Sequence, residues 1–212
     1  MSEARAVAFP LPPVEAARAD FYAVGARLFG APPDAAILAA IATSNALDPA
    51  SAGADSAGSR LAEAWERLRL ASSVMDADAA RQEYTDLFVG VGQSPVDLHA
   101  SHWLAGRRER PLVEFRSALA ALGLSRRAES SMYEDHLSAV LETMRMLVAG
   151  APGRAPADAA TQARFFADHV ESWVFACCDA IRSSALANYY DPAAQFVAAF
   201  LALERESFVF GD

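Results

Sequence analysis

Four histidines and two cysteines carry most of the reactive chemistry open to this chain. His99 and His102 stand three apart, beside Trp103 and just after Asp97. A second group, Glu134, Asp135 and His136, lies inside SSMYEDHLSAVLETM at residues 130–144. These residue types allow four readings. His99, His102, Asp135 and His136 carry the nitrogen and oxygen donors of a transition-metal site, which would make the chain a metal-dependent enzyme. The triplet could form an acid–base pair. It could dock a basic partner, since carboxylates accept paired hydrogen bonds from guanidinium. Or it is a charged helix start, with acids placed against the macrodipole. The last reading accounts for Glu134 and Asp135 and leaves His136 unexplained.

Sharper catalytic signatures are absent from the sequence. There is no H-E-x-x-H, no G-x-S-x-G, no Walker loop and no G-x-G-x-x-G, and the GVG at 90–92 is too short to cradle phosphate. His169 lies between Phe165 and Trp173 at helical spacing and reads as a structural histidine. Cys177 and Cys178 are adjacent, a geometry that strains a disulfide on a helix, so they read as two buried thiols. No cofactor is implied. These features point towards a binding protein.

The elements that must position these residues read as helices throughout. Apolar residues make up 53% of the 212, enough for a substantial core. Alternating β-branched runs are nearly absent. Helices are expected over about 13–29, 34–44 behind Asp34, 59–75, and 76–88 behind Asp76. Further helices are expected over 111–123, from Ser131 to about 150, 157–187, and from Asp191-Pro192 to about 207. Ser131 and Glu134 have capping-box spacing. On that helix Asp135 and Glu142 would lie nearly over one another, away from Leu137, Leu141 and Met144. Residues 47–59, 89–98 and 149–158 read as loops from their Gly, Pro and Ser content. The expectation is a single all-α domain over residues 1–212, with about nine to ten helices.

Bulk charge narrows the partners. The net charge of −9 disfavours nucleic acid, and the one basic cluster, GRRERP at 106–111, is short. No stretch reaches the ~18 apolar residues of a membrane span, so stable membrane insertion is not expected. The beginning of the chain has no apolar run of signal-peptide length, and cysteines are few; the expectation is a soluble, cytoplasmic protein. The long loops at 47–59 and 149–158 leave both a monomer and a domain-swapped dimer open.

Three segments in order carry a family resemblance: EYTDLFVG at 83–90, YEDHLSAVLETMRMLV at 133–148, and QARFFADHVESWVFACCDAI at 162–181. The set resembles the TorD/DmsD/NarJ family of redox-enzyme maturation chaperones, over about residues 15–208. The resemblance implies an all-α cytoplasmic chaperone without catalytic activity. Such a protein binds the twin-arginine leader, or another part, of a molybdenum-cofactor oxidoreductase and holds it for cofactor insertion. A variant of this reading is a NarJ-like assembly factor whose client is not exported. Carried over by position, the client-binding region falls on Tyr84, Leu87 and Phe88, on Asp97, His99, His102 and Trp103, and on Glu134, Asp135 and His136, with Glu142 one helical stretch further. The chain reads SPVDLHASHW where many relatives have an aromatic-rich stretch, a difference that bears on client identity.

Overall fold

Proline sets the first helix. Pro13 occupies a first-turn position, where its missing N–H costs nothing, and α1 runs Pro13–Gly30. The computed structural model describes residues 10–48, 56–90, 94–106, 110–126 and 132–210. Among the described residues about 70% are helical, in ten α-helices and two π-helical turns, and no strand occurs.

Short polar side chains start several helices as expected. Asp34 accepts the Ile37 N–H at 2.9 Å and opens α2, Ala35–Ala42. Ser56 opens α3, Ala57–Val74, and Asp76 opens α4, Ala77–Tyr84. From Tyr84 the chain widens into a π-helical turn, Thr85–Val89, which ends at Gly90 with φ 64°. Then come α5, Ala100–Trp103, a single turn just past the 89–98 loop, and α6, Pro111–Ala121. Next are α7, Leu137–Ala149, and α8, Ala159–Phe166 behind Asp158. A second π-helical turn, Ala167–Glu171, leads to α9, Val174–Ser183, and then α10, Tyr190–Phe210.

Three boundaries correct the sequence reading. The single helix expected over 157–187 is broken: after the π turn the chain leaves helical geometry at Trp173, φ −150°, and restarts as α9. The last helix begins at Tyr190, so Pro192 lies inside its first turn. And α7 begins at Leu137, with His136 as its N-cap, so Asp135 precedes the helix and does not stack over Glu142. The expected cap residue Ser131 lies outside the described residues, as do parts of GVG, of GRRERP and of the 47–59 loop.

The core is built by α1 against α7 and by α10 against α3 and α9. Two glycines let α1 approach closely. A Cβ on Gly25 would stand 3.0 Å from Leu141 Cδ1, and one on Gly30 would stand 2.6 Å from Ser138 Oγ. The Ser138 hydroxyl fills that space and donates to the Ala26 carbonyl at 2.7 Å. Phe21, Trp65, Phe196 and Phe200 interlock between α1, α3 and α10 at ring separations of 5.0–6.4 Å. Trp173 is 1% exposed and its indole N–H donates to the His169 carbonyl at 2.8 Å, as its place among aromatic residues predicts. Cys177 and Cys178 are free, buried thiols.

A buried ionic cluster ties the two ends of the fold. Arg18 of α1 makes paired bonds to Glu204 of α10 at 2.7 and 2.8 Å, and Tyr22 donates to the same carboxylate at 2.9 Å. Arg18 also reaches Gln162 of α8 at 3.2 Å. No helix among the described residues is long and apolar enough to cross a membrane.

Candidate functional site

The two histidine-bearing segments meet. Residues 98–100 lie alongside 135–137, where Leu137 N–H donates to the Leu98 carbonyl at 2.8 Å and Ala100 N–H to the Asp135 carbonyl at 2.9 Å. His99 and His136 face each other across this short antiparallel pairing, with their rings edge to face at 4.9 Å. His99 Nδ1 bonds Asp97 Oδ1 at 2.8 Å, so that nitrogen carries the proton. Trp103 Nε1–H donates to the Asp97 carbonyl at 2.8 Å, and the His102 ring packs on Trp103 at 5.1 Å. Asp97, His99, His102 and Trp103 therefore form one patch, half-buried to exposed.

His136 and Asp135 sit beneath that patch. His136 is 7% exposed, and its Nδ1 accepts the Ser138 N–H at 3.2 Å, which caps α7. Burial, helped by His99, holds its pKa down to about 4 against the pull of Asp135 and Asp97. Asp135 is 1% exposed and accepts the Ser101 N–H and hydroxyl at 3.0 and 2.6 Å. Asp135 and His136, expected at the client-binding region, are thus buried beneath the surface.

A groove opens on the other side of Tyr133. It has a volume of about 410 Å³ and runs between α6, the chain before α7, and α7. Leu119, Leu124, Met132, Ala139 and Met146 supply apolar lining; Glu134, Glu142 and Arg126 supply charge. A second hollow of about 460 Å³, between α1 and α7, shares Met132, Ser138 and Glu142 with it. Glu142 makes paired bonds with Arg145 at 2.7 Å. Glu134 is held between Arg116 at 3.1 Å and Arg126 at 3.8 Å. Burial opposes its ionisation, but the Arg116 hydrogen bond and neighbouring charges outweigh that and keep its carboxyl below the usual range. Tyr133 is 54% exposed and stands 6.2 Å from the His99 ring, so it joins the histidine patch to the groove.

Tyr84, Leu87 and Phe88 do other work. Leu87 is fully buried, and its carbonyl anchors the loop through the Val96 N–H at 3.1 Å. Leu87, expected among the client-contacting residues, lies in the core. Tyr84 and Phe88 pack with Phe29 and Tyr190, and the Tyr84 hydroxyl donates to the Phe29 carbonyl at 3.3 Å. Glu83 accepts the N–H groups of Asn188, Tyr189 and Tyr190 at 2.8–3.0 Å and so caps α10 from another helix. The sequence also gave no weight to Ser101 and Tyr133. Nothing local marks Ser101, whose partner is 34 residues away.

The metal reading finds no support in the geometry. Among the described residues no group of three or more His, Cys, Asp or Glu side chains is arranged to hold a metal ion. His169 is enclosed by Phe115 and Phe165 at 4.5 and 4.9 Å, in keeping with a structural role.

Among the described residues the chain is all-helical, with an apolar groove between α6 and α7. The family model described as nitrate reductase delta subunit matches residues 54–179, more than half of the chain. The chain belongs to that family, whose members are NarJ/TorD-type chaperones for molybdoenzyme maturation. No curated protein matches the chain.

Proposed function

We propose that this chain is a non-catalytic cytoplasmic chaperone that binds one segment of a molybdoenzyme catalytic subunit and holds that subunit for cofactor insertion. The segment is the twin-arginine leader where the client is exported. The observation that carries this reading is the groove beside Tyr133, whose apolar lining suits the apolar run of such a segment. Family membership supplies the class of client. Asp97, His99, His102, Trp103 and Tyr133 extend the contact surface past the groove, and Tyr84, Leu87 and Phe88 support it from the core. The family's description as a nitrate reductase subunit favours a second reading, an assembly factor for a client that is not exported.

Affinity capture of the tagged chain from its native host tests the proposal, with the captured proteins identified by mass spectrometry. A molybdoenzyme catalytic subunit should be retained by the wild type and depleted with Tyr133→Ala and Glu142→Ala. Capture of no molybdoenzyme subunit would overturn it.

A further inference from the structure

Asp135 and His136 are turned inward, and both are engaged with the loop behind the proposed surface. The Asp135 carboxylate holds Ser101 through two hydrogen bonds, and its carbonyl holds the Ala100 N–H. Two residues on, the Leu137 N–H donates to the Leu98 carbonyl, while His136 caps α7 and braces the His99 ring. Hydrogen bonds from Asp135 and Leu137 thus converge on the backbone from 98 to 101, and His136 packs on the His99 ring between them. A client arginine could reach Asp135 only by displacing Ser101, which would strip an N–H of its partner and undo the pairing beside it. Left in place, the same contacts fix the loop before any client arrives, so its ordering cost does not fall on binding.

We propose that Asp135 and His136 are positioning residues that lock the 98–101 backbone, so that His99, His102 and Trp103 are presented beside Tyr133 as one preformed surface. This rests on the reading of that surface as the client contact. Asp135 acts through Ser101 and never meets the client.

The test separates a latch from a contact. Ser101→Ala leaves the Asp135 carboxylate in place and removes its hydroxyl partner. Asp135→Ala removes the acceptor, and Asp135→Asn keeps an acceptor oxygen without the charge. In the free full-length protein, hydrogen–deuterium exchange at the Ala100 and Ser101 amides should rise about ten-fold in Ser101→Ala and Asp135→Ala. Exchange at Leu141 and Met144 in α7 should stay as in the wild type. Binding is then measured against the molybdoenzyme catalytic subunit captured by the wild-type chain. Each single variant should bind about ten-fold more weakly, the double variant no worse than either, and Asp135→Asn should recover most of the loss. Unchanged exchange at Ala100 and Ser101 overturns the latch. So does wild-type binding by Ser101→Ala alongside equal losses in Asp135→Ala and Asp135→Asn, the pattern of a contacting charge. If the wild type captures no molybdoenzyme subunit, the functional reading fails while the exchange data still decide the latch.

Discussion

At the scale of single residues, His136 gives the fold an acid signature. Its imidazole is held neutral, with a pKa of about 4 in the folded protein against 6.5 for the free group. Between those values the unfolded chain binds the extra proton, so the stabilisation is complete above pH 6.5 and is lost as pH falls towards 4. The loss from this one group amounts to about 3 kcal/mol. Urea titrations at pH 7 and pH 4.5 should show the drop, and His136→Asn, which keeps a capping side chain, should make it smaller. An equal drop in the variant would assign the acid sensitivity to other groups. Buried Trp173 is a second handle: Trp173→Ala should cost about 3–5 kcal/mol, read as an earlier denaturation midpoint. The residue types at the site were legible in the sequence, but their orientation was not. Asp135 reads as a first-turn acid because Ser131 and Glu134 mimic a capping box; the actual cap, a ring nitrogen of His136, has no spacing signature.

At the scale of elements, the last turn of α4 and the start of α10 work together. Glu83 supplies three acceptor bonds to the N–H groups that open α10, a helix start that no local side chain caps by sequence. Glu83→Ala should destabilise the protein by about 1.5–3 kcal/mol, since charged acceptors are lost to all three donors. Exchange should accelerate at residues 188–190, and a wild-type denaturation curve would show that water caps the helix equally well. The α1–α7 contact makes another test. Ala is a better helix former than Gly, yet Gly30→Ala should lower stability, because its Cβ collides with a hydroxyl already bound to Ala26. The starts of α1, α2 and α4 could be read in advance because Pro13, Asp34 and Asp76 act on their own neighbours. The break near Trp173 could not, since apolar spacing continues unbroken through a π turn and the added residue leaves no compositional mark.

For the whole molecule, a net charge of −9 gives the proposed client interaction a salt signature. Binding of the captured catalytic subunit should weaken as ionic strength rises from about 0.05 to 0.5 M, because the Debye length contracts from roughly 14 to 4 Å. An affinity indifferent to salt would mean that the groove works through its apolar lining alone. The arrangement of the helices also bears on when the chain can fold. The face of α1 is covered by α7, whose first residue comes about a hundred positions after α1 ends, and Arg18 and Tyr22 close on Glu204 later still. On a ribosome adding about 5–20 residues per second, the opening helix emerges many seconds before the surface that buries it has been made. Its apolar face must wait in solution or in the hands of another factor, and the last helix completes the cluster that fastens the first. This fold can close only once α10 has been made, long after α1 has left the ribosome.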